Sequence, residues 1–242
     1  MRRLLAVCLA VPLLAACGGG DSAGTRAAPS TPAASAASIA PCVDAADPDL
    51  TGMHLRPVAG VQVDAVFAGT GSTGIVFSNM SGETLCEWLP TALVYVKQGY
   101  RVAMYEYSAD QSPDADLADV AAELRRRGTT GIALVGASMG GTTSMVAANT
   151  VHAVAVFVLS APGAYSGMDA VGAASRVTAP SWFGVGQHDT EFLQSARDLY
   201  AHSAAPRKHL EIFPTGAHGT ALLGGTVDRM LADFLHTNAP AA

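Results

Sequence analysis

The sequence predicts an α/β fold, with a mostly parallel central sheet flanked by helices and no cap domain. Short β-branched apolar runs alternate with amphipathic stretches, the pattern of strands joined by helical crossovers. Ile132 to Val135 and Ala153 to Leu159 are nearly continuous apolar runs, as central strands covered on both faces require. The stretch between Ser160 and Pro180 is too short to fold into a cap. With 50% hydrophobic and 14% charged residues, the 242-residue chain can bury the core of one large domain.

In chain order, Val61 to Ala68 and Ile75 to Phe77 read as two early strands. Between them, Gly69-Thr70-Gly71-Ser72-Thr73-Gly74 fits the G-x-G-x-x-G fingerprint by letter. A dinucleotide site needs a helix to begin at those glycines, whereas a strand follows at Ile75, so the segment reads as a glycine-rich turn. Pro90 to Gln98 is expected to be a helix, with Pro90 in its first turn and Gly99 beyond its end. Tyr100 to Tyr107 follows as a strand. After Pro113, residues Leu117, Val120, Ala121 and Leu124 recur at helical spacing, and the run closes with Arg125, Arg126, Arg127 and Gly128. Trp182 to Val185 and Leu210 to Phe213 are two further strands. Leu223, Val227, Met230, Leu231 and Phe234 mark one face of a final helix. There is no internal repeat.

The N-terminus has the form of an export signal: Arg2 and Arg3 precede an apolar run from Leu4 to Ala16 that is too short to span a bilayer. That run ends in Leu14-Ala15-Ala16-Cys17, which resembles a bacterial lipoprotein signal. The resemblance implies removal of residues 1–16 and acylation of Cys17, against the alternative of an ordinary cleaved signal. From Gly18 to Pro41 the chain is almost entirely Gly, Ala, Ser, Thr and Pro, a composition expected of a flexible tether. The expected division is therefore a signal over 1–16, a tether over 17–41 and a folded domain over 42–242, held outside the cytoplasm on a membrane by its lipid.

The chain carries a net charge of −6, which argues against a nucleic-acid partner. Of the four cysteines, Cys8 leaves with the signal and Cys17 takes the lipid. Cys42 and Cys86 remain in an oxidising compartment, where they are expected to pair, two free buried thiols being the alternative.

Gly136-Ala137-Ser138-Met139-Gly140 is a G-x-S-x-G sequence set directly after the strand Ile132 to Val135 and before an alanine-rich helical stretch. A serine at such a sharp strand-to-helix turn aims its hydroxyl at a substrate, and glycines on either side avoid collisions with neighbouring backbone. The Met139 amide then lies at a helix start, where it can stabilise an oxyanion. A serine hydroxyl needs a histidine base, and the base needs a carboxylate to fix its tautomer. Asp189 follows one predicted strand and His218 follows the next, each just past the carboxyl end where open α/β sheets bind ligands. Asp189 has an alternative reading as the N-cap of a helix from Thr190. His188 is a rival base, although a residue adjacent to Asp189 cannot easily pair with it. His54, His152, His202, His209 and His236 read as surface or packing residues, and no spacing resembles a metal site. No cofactor is expected.

Val135-Gly-Ala-Ser-Met-Gly-Gly141, Gly186-Gln-His-Asp189 and Gly216-Ala-His-Gly219 resemble the nucleophile elbow, acid turn and histidine loop of the α/β-hydrolase superfamily, in particular its small lidless esterases and dienelactone-hydrolase-like members. The resemblance runs from about Val61 to Phe234. It implies that Ser138, Asp189 and His218 cleave carboxylic esters through an acyl-enzyme. Many members carry His-Gly after the third strand, and this chain has Ser78-Asn79 there. By alignment with the family the Met80 amide becomes the second oxyanion donor, with the Asn79 side chain as an alternative and a turn residue as its plainer reading. An open site suits small acyl esters, with Trp88, Tyr165 and Met168 as candidate pocket residues. Acyl transfer to a cell-envelope acceptor, or a surface-displayed binding module without turnover, are the competing readings.

Overall fold

The computed structural model describes residues 40–43, 50–55 and 62–241, with backbone alone over 51–55. The signal sequence, the lipid-attachment residue Cys17 and most of the tether lie outside the described residues. The chain runs β1 (Leu50–Leu55), β2 (Val63–Ala68), β3 (Thr73–Ser78), α1 (Leu89–Lys97), β4 (Arg101–Tyr105), α2 (Pro113–Arg126), β5 (Gly131–Ala137), α3 (Met139–Ala147) and β6 (Ala155–Leu159). Two short strands, β7 (Ala164–Tyr165) and β8 (Met168–Asp169), then form a hairpin. After it come α4 (Ala170–Ala174), β9 (Ser181–Gly186), α5 (Thr190–His202), β10 (Lys208–Phe213) and α6 (Thr226–Asn238).

Eight strands form one sheet in the order β1-β2-β4-β3-β5-β6-β9-β10. The β1–β2 and β2–β4 pairs are antiparallel, and every pair from β4 to β10 is parallel. Because side chains alternate across a strand, β3 sends Ile75 and Phe77 to one face and Val76 to the other. The first face meets Ala92 and Tyr95 of α1 and Val227, Leu231 and Leu235 of α6. The second meets Leu117, Val120 and Leu124 of α2, Met145 of α3 and Leu199 of α5. β6 throughout and β5 from Ile132 onward are buried because helices cover both sides, which explains their uninterrupted apolar sequence.

The expected elements are present, with shifts at their ends. The final helix begins at Thr226, so Leu223 packs beside it rather than within it. β1 and the β7–β8 hairpin were not anticipated. The Gly69–Gly74 segment is a turn, in which Gly69 and Gly71 press on the backbone of Gly99 and Tyr100; a Cβ at either would lie 2.2 Å or less from a carbonyl oxygen. β2 and β3 are not neighbours, since β4 inserts between them, and that close crossing requires residues without side chains.

Two interactions fix the loops beyond the sheet. Asp116 of α2 is buried, and its carboxylate accepts bonds from the Ser108 amide and hydroxyl and from Gln111 Nε2, which fold the segment after β4 onto the helix. Burial still raises its pKa, with those hydrogen bonds opposing the rise. Cys42 and Cys86 form a disulfide that spans a sequence separation of 44. In the chain-entropy account a loop of that length contributes roughly 4 kcal/mol. Replacing both cysteines with alanine is expected to lower the thermal midpoint, measured by circular dichroism, on the order of 10 °C.

Candidate active site

The three parallel strands β5, β9 and β10 deliver the candidate residues to one edge of the sheet. At the end of β5 the chain reverses direction at Ser138, whose φ of 50° and ψ of −122° are costly for any residue with a side chain. The turn is held from both sides. The Ser138 amide donates to Leu159 O of β6 at 2.8 Å, and its carbonyl accepts from the Gly141 and Thr142 amides at 2.9 and 3.2 Å. A Cβ on Gly140 would lie 2.0 Å from the Ser78 carbonyl oxygen, and one on Gly136 would lie 2.2 Å from that of Gly140. Only glycine at these positions lets α3 begin against the ends of β3 and β5. Met139 is the first residue of α3, so its amide has no partner within the helix and faces the favourable end of the dipole.

Asp189 and His218 form a direct pair, with His218 Nδ1 2.9 Å from Asp189 Oδ2. Asp189 occupies the N-cap position of α5, yet its carboxylate makes no capping bond and is spent on the imidazole. The acid turn and the histidine loop are packed together: Gly186 lies so near the Thr215 and Ala217 carbonyls that a Cβ would come within 2.7 Å of each. The Phe192 ring, 4.2 Å from that of His218, closes one side of the imidazole. His218 is one-third exposed and Asp189 nearly buried, so the pair presents its histidine outward. Gly219 places this loop against Ala137 and Met80, beside the serine turn. Among the described residues, the ring hydrogen bond of His218 goes to Asp189, and none joins it to Ser138 Oγ. His188 is exposed, as are His152, His202, His209 and His236; the side chain of His54 lies outside the described residues.

The loop after β3 departs from expectation. The Met80 amide already donates to Glu87 Oε1 at 2.7 Å, so it is not a free oxyanion donor. The Asn79 amide donates to Glu83 O at 2.8 Å, which makes Asn79 a turn residue rather than a substrate contact. Trp88 is not a pocket residue: it is fully buried, its indole N–H donates to Ser78 O at 3.1 Å and its ring packs 5.2 Å from Phe77. A large flat side chain at the start of α1 fills the space under β3, and its one polar atom caps the strand end that carries the loop. Met168 is buried with its sulfur 3.8 Å from the Thr143 hydroxyl of α3. Tyr165 is exposed on the β7–β8 hairpin, and its hydroxyl reaches Ser81 Oγ at 2.9 Å across to the loop after β3. Glu87, Phe192 and Thr220 border the site without any sequence pattern to mark them. Glu87 follows a cysteine in a short 3-10 turn (Leu85–Glu87), where no periodicity singles it out.

Among the described residues, no group of three or more His, Cys, Asp or Glu side chains is placed to hold a metal ion. A cavity of about 370 Å³ between α1 and α6, lined by Val94, Tyr95 and Arg229 among others, includes none of the candidate residues.

No protein-family model matches the chain, and no curated protein matches its sequence. Its fold is similar to that of an esterase from Pyrococcus furiosus, with a TM-score of 0.67 and 12% identity over 78% of this chain and 90% of that one. It is also similar to a dienelactone hydrolase from Anabaena variabilis, with a TM-score of 0.65 and 15% identity over 78% of this chain and 99% of that one. A monoacylglycerol lipase from Paleococcus ferrophilus gives a TM-score of 0.59 and 14% identity, covering 73% and 99%. At such identities the likeness concerns architecture, and it is that of the α/β-hydrolase fold.

The pairing of His218 with Asp189, and the exposure of His188, set an expected outcome for substitutions. His218→Ala should abolish covalent labelling of the protein by a fluorophosphonate probe, whereas His188→Ala should slow it by about tenfold or less. Gel fluorescence against time checks both.

Proposed function

We propose that this chain is a serine hydrolase of carboxylic esters, with Ser138 as nucleophile, His218 as general base and Asp189 as its orienting acid. The observation that carries the reading is the His218–Asp189 pair, 2.9 Å apart, at the same sheet edge as a serine held at φ 50°. A serine held at positive φ costs about 1 to 3 kcal/mol of backbone strain, a cost that folding alone does not explain. The names of the structural neighbours support the same class without specifying a substrate.

In this reading Ser138 Oγ attacks the ester carbonyl as its proton passes to His218 Nε2, while Asp189 holds the Nδ1 proton and stabilises the imidazolium. The negative charge on the former carbonyl oxygen is met by the Met139 amide. Collapse of the tetrahedral intermediate expels the alcohol, which takes the proton from His218. Water then repeats the sequence on the acyl-enzyme, releasing the acid and restoring the serine. Ser138→Ala is expected to lower turnover of a short-chain aryl ester roughly 10⁴-fold with little change in thermal midpoint. A variant that keeps a tenth of the wild-type rate would remove the serine from this role.

The reading also places the enzyme outside the cytoplasm, tethered by acyl chains on Cys17, supported by the Leu14-Ala15-Ala16-Cys17 sequence and the Gly/Ala/Ser/Thr/Pro stretch behind it. Cys17→Ser should release or mislocalise the protein with its hydrolytic rate intact. Intact-mass analysis of the membrane fraction checks this, and a mature N-terminus elsewhere without added acyl mass would overturn it.

A further inference from the structure

Glu87 lies outside the Ser138, His218 and Asp189 set, but its carboxylate binds both loops that flank the serine. Oε1 accepts the Met80 amide at 2.7 Å, and Oε2 accepts the Thr220 hydroxyl at 3.1 Å. Thr220 stands two residues after His218, and its hydroxyl also lies 3.8 Å from the Met80 sulfur. Met80 in turn sits against Gly219, next to Ala137 at the serine turn. The ends of β3 and the histidine loop therefore meet at this one half-buried carboxylate.

We infer that Glu87 is a latch on the site, a positioning residue whose carboxylate occupies the Met80 amide in the resting state and must release it before that amide can serve the oxyanion. The inference rests on the proposed serine-hydrolase reading. One backbone N–H cannot donate fully to two anions at once, and its bond to a carboxylate is of the strong, charge-assisted kind. A negative oxygen forming beside an ionised Glu87 is also repelled by it, so turnover through two donors requires the carboxylate to rotate outward. Its surroundings favour departure. Burial raises the Glu87 carboxyl above the usual range, the Met80 and Thr220 bonds oppose that rise, and the nearby Glu83 and Glu106 carboxylates add to it. Tyr107, whose own ionisation is suppressed by burial, faces the same region. No cationic side chain is among the groups that set the charge state of Glu87. Among the described residues the carboxylate is held in place by two donors, and one of them is the amide that would become the second oxyanion donor on release.

The neutral isostere distinguishes a latch from a clamp. Glu87→Gln keeps the shape and can still bond both loops, but it holds the Met80 amide more weakly and removes the repulsion. Glu87→Ala empties the position, and Thr220→Val removes the second anchor, together with the hydroxyl's contact to the Met80 sulfur, while leaving the Met80 amide its bond to Glu87. Loss of one oxyanion donor costs roughly 10²- to 10³-fold elsewhere, so freeing one should be easily measured. The maximal rate of inactivation by a fluorophosphonate should rise several-fold in Glu87→Gln and Thr220→Val and by about tenfold in Glu87→Ala. The gain should appear in that rate and not in the probe concentration at half-saturation. A clamp would leave Glu87→Gln unchanged and make Glu87→Ala slower. A folded Glu87→Gln variant labelled no faster than wild type overturns the latch, whatever the alanine variant does. Labelling of Ser138→Ala as fast as wild type, or a wild type and all variants that fail to label, overturns the serine-hydrolase reading itself.

Discussion

The contact between Gly140 and the Ser78 carbonyl, with no room for a Cβ, governs how the rest of the molecule is arranged. It allows α3 to start directly against the ends of β3 and β5, and the Ser138 backbone is forced into its left-handed turn as a result. That conformation persists only because neighbours over-determine it. β6 supplies the Leu159 carbonyl to the Ser138 amide, and the third glycine, Gly141, lets α3 pack on Ala161, where a Cβ would lie 2.7 Å from the Ala161 Cβ. The order of strands follows the same need, with β3 and β6 placed on either side of β5.

Behind the turn lies a layer of buried hydroxyls, while Asn79 Oδ1, Ser144 Oγ and Ser160 Oγ are buried without a hydrogen-bond partner. Ser78 Oγ and the Tyr105 hydroxyl are 3.0 Å apart, and the Tyr107 hydroxyl donates to Asn79 O at 3.0 Å. Tyr105 and Tyr107 pack edge to face at 5.2 Å. Burial raises the ionisation of both phenols far beyond the neutral range, so this layer stays uncharged and rigid under the loop that Trp88 caps from the other side.

The parts of the site that were legible in the sequence are those that depend on order along the chain. A strand, a serine between glycines and a helix form a local unit, and Asp189 and His218 each follow a strand whose apolar run is visible. Their pairing could be anticipated because parallel strands bring all such ends to one edge. The loop after β3 was less legible, since its roles are settled by partners distant in sequence. Met80 and Asn79 have the right position for oxyanion donors, but the Glu87 carboxylate and the Glu83 carbonyl claim those hydrogens. Trp88 looked like a pocket aromatic because sequence does not reveal which way an indole turns at a helix start. β1 was missed because Leu50-Thr-Gly-Met-His-Leu55 has weak alternation, and its strand character comes from pairing with β2 at the sheet edge.

The Cys42–Cys86 bond also determines how the protein would bear a mechanical load. A pull on the chain N-terminal to Cys42 passes through the disulfide to Cys86 and enters the fold at the 3-10 turn that carries Glu87. The disulfide closes the covalent loop that contains β1, β2 and β3, so a pull cannot draw that loop out between its two ends. A load on that side would thus be shared between the buried Ala40 and Val43 and the 3-10 turn beside Cys86, whose Glu87 carboxylate joins the two loops of the site.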